Sequence, residues 1–220
     1  MPLRHSLVLA MAASLSWNSA AARPKVLGAV MEAKRVHLNS IAVTAGATVY
    51  EGDRFSTEEG GMLLLRGDAT MLRLSGESSM IVWSKANGAR GTEAELGKGT
   101  LAFSTAHGST IEMVTLGAHI SPVGDVLTVA QVSVVGHKEL LIRAQRGPLQ
   151  FSYRGETETV ADGESYRVIL DPPAENPRQR GPVPPSRWPK GFKIVIIAEG
   201  AAVVALGIHE LLEPESPDRP

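Results

Sequence analysis

Between Val26 and Leu170 no run of ten to fifteen residues shows the apolar spacing that an amphipathic helix needs. The stretch breaks instead into short runs rich in Val, Ile, Leu and Thr. Gly and Asp punctuate these runs at intervals of about 8 to 12 residues. Without helices between the strands, a βαβ architecture is excluded. The pattern confines this part of the chain to an all-β fold of many short antiparallel strands, arranged as a sandwich, roll or barrel.

The runs can be placed one by one. Val43 to Tyr50 leads into the turn Glu51-Gly52-Asp53. Met62 to Arg66 and Met71 to Leu74 flank Gly67-Asp68, which suits a tight primed hairpin turn, with Leu72 and Leu74 on one face and Met71 and Arg73 on the other. Met80 to Trp83 is a further strand, and Lys85 to Arg90 a polar turn. Leu101 and Phe103 alternate after a turn at Gly97-Lys98-Gly99, and Gly60-Gly61 is also read as a turn. Ile111, Met113 and Thr115 share a face. The longest alternation is Val126, Thr128, Ala130, Val132 and Val134. Leu140, Ile142 and Ala144 follow Gly136, then Leu149 and Phe151. Glu156 to Val160 and Tyr166 to Leu170 are joined through Asp162-Gly163-Glu164. Gly52, Asp53, Gly67, Gly147 and Gly163 are the residues expected to fix turns, the glycines wherever the backbone needs positive φ.

The ends differ from the middle. Arg4 and His5 precede an apolar run from Ser6 to Trp17, and Ala20 to Ala22 supply small residues before Arg23. This is the order of a secretory signal over residues 1–22, with an uncleaved anchor or a buried or surface helix as the alternatives. Residues 172–191 hold seven of the fourteen prolines, together with Arg178, Arg180, Arg187 and Lys190, and are expected to form a basic extended linker. Residues 192–212 follow as an apolar segment long enough to cross a membrane, expected as a transmembrane or amphipathic helix. Trp188, Lys190 and Lys193 are its candidate membrane contacts. Glu199 near its centre opposes insertion. Residues 213–220 form a polar tail. The expected architecture is thus a β domain over residues 26–171 with hydrophobic helices flanking it at both ends.

Composition narrows the function. A formal net charge of −1 removes the long-range attraction of a nucleic-acid binder, so no nucleic-acid partner is expected. With no cysteine, thiol nucleophiles and cysteine-bound metals are excluded. The six histidines form no H-x-H or H-E-x-x-H pair, and no G-x-S-x-G elbow, Walker loop or dinucleotide fingerprint is present. Asp53, Asp68, Asp125 and Asp162 all adjoin glycine and read as turn residues. No catalytic, cofactor or metal residue is assigned, and the chain is expected not to be an enzyme.

The order of these turns resembles the FecR-type domain of bacterial envelope proteins. The resemblance rests on Val26-Leu27-Gly28-Ala29-Val30, on Val49-Tyr50-Glu51-Gly52-Asp53-Arg54-Phe55-Ser56-Thr57, and on the apolar runs Gly60 to Leu65 and Thr70 to Ser75. Glu95 to Leu101, Arg146-Gly147-Pro148-Leu149 and Ala161-Asp162-Gly163-Glu164 continue it. Val129-Ala130-Gln131 stands where that family usually has a Gly-Thr pair, so the resemblance is divergent.

The resemblance implies an exported, non-enzymatic β domain that binds or senses at the cell envelope. The best-known relatives carry a surface signal to a sigma factor through a short cytoplasmic N-terminal domain. Only Met1 to His5 precede the apolar run here, so the sigma-factor-binding region is expected to be absent. The expected function is a membrane-tethered envelope binding or sensory module, located in the periplasm. Its expected partners are an envelope protein or a second copy of itself, with the membrane reached through the C-terminal helix and any small-molecule ligand unspecified. A structural or assembly role is the first alternative, and a glycan-acting envelope enzyme the second.

Overall fold

The computed structural model describes residues 25–85, 91–172 and 191–197, and every regular element in them is a strand. The strands are β1 (Val26–Leu38), β2 (Ile41–Ala42), β3 (Thr48–Tyr50), β4 (Arg54–Arg66) and β5 (Thr70–Leu74). Then come β6 (Ser79–Ser84), β7 (Gly91–Thr105), β8 (Thr110–Thr115), β9 (Ala118–Pro122) and β10 (Thr128–Gly136). The last five are β11 (Glu139–Arg146), β12 (Leu149–Tyr153), β13 (Glu156–Val160), β14 (Ser165–Leu170) and β15 (Phe192–Ile196). All fifteen join in one hydrogen-bonded sheet around a single core.

Two long strands fold this sheet over. β4 has 13 residues and β7 has 15, well beyond the usual five or six. Each changes partners midway. Arg54 to Ser56 of β4 pair with β6, whereas Leu63 to Arg66 pair with β5. Thr92 to Lys98 of β7 pair with β6, whereas Leu101 to Thr105 pair with β5. The changeovers fall at Gly60-Gly61 and Gly97–Gly99, where the sequence pointed to turns. Both lie inside strands. Gly60 has φ +61° and Gly99 φ +84°, so each lets the strand kink without ending. Opposite Gly60, Arg35 of β1 has φ +50°, and the β1–β4 register slips between Lys34 and Val36.

Two arms leave the bent β7. From its first half run β8, β9, β12 and β13; from its second half run β10, β11, β14 and β15. The bend also explains an unusual connection. β8 lies parallel to Gly91–Glu95 of β7, yet only residues 106–109 join the two strands. Parallel neighbours normally need a crossover of about a dozen residues or more. A kinked β7 brings its own end back toward its beginning and makes four sufficient.

The arms close on each other over the core. All four phenylalanines, Phe55, Phe103, Phe151 and Phe192, are 0% exposed. Aliphatic residues fill the remainder in the alternation expected of strands, as in β5, where Thr70, Leu72 and Leu74 point inward. Thr128, Ala130 and Val132 of β10 are likewise buried and Val134 packs on the core, but Val126 precedes the strand and is exposed.

One expectation is overturned. No helix occurs among the described residues, and the segment expected to begin a helix at residue 192 begins a strand. β15 pairs antiparallel with β14, from Leu170↔Phe192 to Tyr166↔Ile196. Phe192 and Ile194 point into the core while Lys193 and Val195 are exposed. The physical reason is the period: Phe-Lys-Ile-Val-Ile alternates every two residues and is β-branched, which favours a strand. Averaging over the apolar residues 192–212 hides that local signal. The expected N-terminal helix falls on residues 1–22, and residues 198–212 complete the other; both lie outside the described residues.

Candidate functional site

The densest polar constellation is the run Gly52 to Thr57. Gly52 has φ +85° and donates its N–H to the Val82 carbonyl at 2.8 Å. Asp53 is 9% exposed, and its carboxylate accepts from the Tyr50 N–H at 2.8 Å and the Asn39 amide at 3.1 Å. The Asn39 side-chain oxygen in turn accepts from the Arg54 N–H. Phe55 fills the core, and buried Thr57 bridges to the β5–β6 turn. Its hydroxyl donates to the Ser75 carbonyl at 2.5 Å and accepts from the Ser78 N–H at 2.9 Å. The side chains of Asp53 and Thr57 are spent on backbone and amide groups of neighbouring segments, so the run binds the fold together.

The other singled-out turn residues behave differently from one another. Gly147 has φ +77°, and its N–H donates to the Asp162 carboxylate at 2.9 Å, so the two closing turns are tied together. Gly163 has φ +80° and donates to the Ala144 carbonyl. Neither Gly67 nor Asp68 has positive φ, so the β4–β5 hairpin stands where expected but its turn is not a primed one; the Gly67 N–H closes it on the Thr70 carbonyl.

Two clusters were not foreseen. In the first, the Glu112 carboxylate accepts from His119 Nδ1 at 2.8 Å and lies 3.3 Å from Lys85 Nζ. The His119 hydrogen bond, with Lys85 assisting, holds the Glu112 carboxyl below its ordinary value of 4.5, against a desolvation that pushes it up. Glu112 and His119 are diagonal neighbours across β8 and β9, with His119 opposite Val114, because Leu116 and Gly117, at φ +49° and +76°, make a tight turn between the two strands. Leu116 is a poor advertisement for positive φ, which hid this hairpin.

In the second cluster, Asp171 accepts from the Tyr153 hydroxyl at 3.1 Å and pairs with Arg154 at 2.7 Å. Lys138 lies 3.5 Å away. The Asp171 N–H donates to the Gly191 carbonyl at 2.9 Å, and the Gly191 N–H to Glu156 at 3.0 Å. These bonds clasp the start of β15 where it joins the sheet. Only the position of β15 brings Asp171, Glu156 and Gly191 together.

Among the described residues no group of three histidine, aspartate or glutamate side chains is placed to hold a metal. A cavity of about 20 Å³ opens between the layers beside Leu27, Val49, Leu65, Leu72 and Val82, room for about one water. Asp53, Asp68, Glu77, Asp125 and Glu164 lie in five different connections. Asp125, for example, accepts from the Gly108 N–H across two loops.

The membrane contacts expected at the C-terminal end need correction. Trp188 and Lys190 lie outside the described residues. Lys193 is on β15 opposite Ile169, in a strand of the sheet rather than at the head of a helix. No helix among the described residues is long and apolar enough to cross a membrane. The apolar side chains of Phe192 and Ile194 are already taken up by the core, so membrane tethering through a helix beginning at residue 192 is withdrawn.

The class defined by this architecture is a folded-over, all-β sheet with kinked long strands. No protein-family profile and no curated protein matches the chain. Two crystal structures of a candidate anti-sigma factor from Parabacteroides distasonis are similar at 13% identity with a TM-score of 0.45. The match covers 53% of this chain and 54% of that one, so the chain spans about half the length of that protein.

Proposed function

We propose that the chain is an exported, non-enzymatic β module of the bacterial envelope, divergent from FecR-type domains, that works by presenting binding surfaces. The observation that supports this most is the run Gly52 to Thr57, one of the segments that carry the sequence resemblance. Its glycine, aspartate, phenylalanine and threonine each have a distinct part in joining strands, as a fold-defining motif should. The non-enzymatic reading draws on the carboxylates, which are separated in different turns, whereas acid–base pairs need a fixed mutual separation.

A structural or assembly role is the second reading. It is favoured by β13 and β15 standing at the two ends of the strand order among the described residues, where an edge is offered for pairing.

Osmotic-shock fractionation of the expressing cell, followed by mass measurement of the chain, tests export. The expected result is a periplasmic protein shortened by residues 1–22. Full-length protein confined to the cytoplasm overturns the reading.

A further inference from the structure

We propose that β15 is an exchangeable strand: the edge of β14, and the apolar slot beside Phe151, accept β15 of a second copy of this chain as well as their own. The proposal stands apart from the envelope reading and rests on how β15 is attached.

Three features of the attachment matter. β15 ends the strand order and, among the described residues, pairs with β14 only, so its departure breaks no other strand pairing. Its contacts are with parts of the chain distant in sequence: Phe192 against Phe151, the Gly191 N–H on Glu156, and the Gly191 carbonyl on the Asp171 N–H. Finally, β14 ends at Leu170 and β15 begins at Phe192, whereas antiparallel neighbours are usually joined by about two to five residues.

That length decides the issue. Residues 173–190 lie outside the described residues, and a chain of that length reaches up to about 60 Å. A domain of this size is about 40 Å across, so the strand can reach a neighbouring molecule. In a reciprocal exchange each copy gives one β15 and receives one, which closes a two-fold dimer. Every contact of β15 is the same in both forms; only the chain supplying it differs. The balance is therefore set by protein concentration against the effective concentration of the tethered strand. A two-residue hairpin turn holds that value high, but a long connection lowers it to about the millimolar range. An unrelated peptide would have to reproduce Phe192 and Ile194 on one face with a backbone in register, which a second copy does by construction.

The absence of cysteine permits a direct test. Arg167 and Val195 are cross-strand partners and both exposed. The full-length single variants Arg167→Cys and Val195→Cys are mixed, unfolded, refolded together at high concentration and oxidised. Exchange predicts a mixed disulfide dimer containing one chain of each, at least five-fold more abundant than that from Val195→Cys mixed with Asp68→Cys. It also predicts a dimer fraction that rises with refolding concentration. The double variant Arg167→Cys/Val195→Cys, oxidised when dilute, should form the bond within one chain, which shows that the geometry permits it. An internal bond in the double variant without a mixed dimer from the singles overturns the proposal, as does equal crosslinking to the Asp68→Cys control. Should loss of the Arg167–Glu139 pair impair folding, Ile169→Cys with Lys193→Cys reports the same register.

Discussion

Phe151 on β12 and Phe192 on β15 meet edge to face, with ring centroids 4.8 Å apart and planes at 80°. The contact joins the two arms that diverge from β7, and both rings are 0% exposed. It places Phe192 in the folded domain.

Phe192→Ala is therefore expected to destabilise the domain by about 3–5 kcal/mol, the range for removing a buried phenylalanine from a core. Val195→Ala, on the exposed face of the same strand, should stay within about 0.5 kcal/mol. Urea unfolding of both variants checks this. Equal, small losses would mean that β15 contributes little to folding.

The glycines should separate into two grades. An added Cβ at Gly163 meets nothing within 4 Å, so Gly163→Ala carries only the strain of φ +80°, about 1–2 kcal/mol. At Gly147 the Cβ would stand 3.0 Å from Thr128 Oγ1 and 3.1 Å from the Leu127 carbonyl, with φ +77° besides. Gly147→Ala should lose more than Gly163→Ala in the same denaturation assay. The reverse order would show that the β9–β10 loop yields more easily than its hydrogen bonds imply.

The sequence revealed the strands with clean two-residue alternation and glycine-marked turns: β5, β11, β13 and the Gly67-Asp68 hairpin stand where the pattern pointed. It was silent where one residue type can serve two purposes. Glycine inside a strand and glycine in a turn look alike, so the kinks at Gly60 and Gly99 read as turns, and only the second halves of β4 and β7 read as strands. β15 was lost for a different reason. Its alternation lasts five residues and joins a longer apolar stretch, so period and hydropathy gave opposing answers. The clasp of Asp171, Gly191 and Glu156 depends on that strand and could not be anticipated without it.

Glu112 should give the domain a separable acid sensitivity. Its carboxyl titrates at an ordinary 4.5 in the unfolded chain and lower in the folded one, chiefly through the His119 hydrogen bond. Between those two values the unfolded chain binds more protons, so stability rises with pH there. The contribution is complete above pH 4.5 and disappears as the pH falls through the lower, folded value. Glu112→Gln should remove this component, so the stability difference between the native protein and the variant should shrink on acidification below 4.5. A difference independent of pH across that window would contradict the assigned bond.

Thr57 gives the sharpest test of why the Gly52 to Thr57 run ends as it does. The residue is 6% exposed, and its hydroxyl both donates to the Ser75 carbonyl and accepts from the Ser78 N–H. Valine has the same shape without the hydroxyl. Thr57→Val therefore keeps the packing and leaves the Ser78 N–H without this acceptor, for a loss of about 1–3 kcal/mol. Thr57→Ser keeps the hydroxyl and removes one methyl, which costs about 0.8 kcal/mol by transfer. The expected order of stability is native, then serine, then valine, read from urea midpoints at constant slope. If the hydroxyl is what matters, amide exchange at Ser78 should also quicken in the valine variant and stay slow in the serine variant. A valine variant as stable as the native protein would reduce this threonine to a space-filling residue.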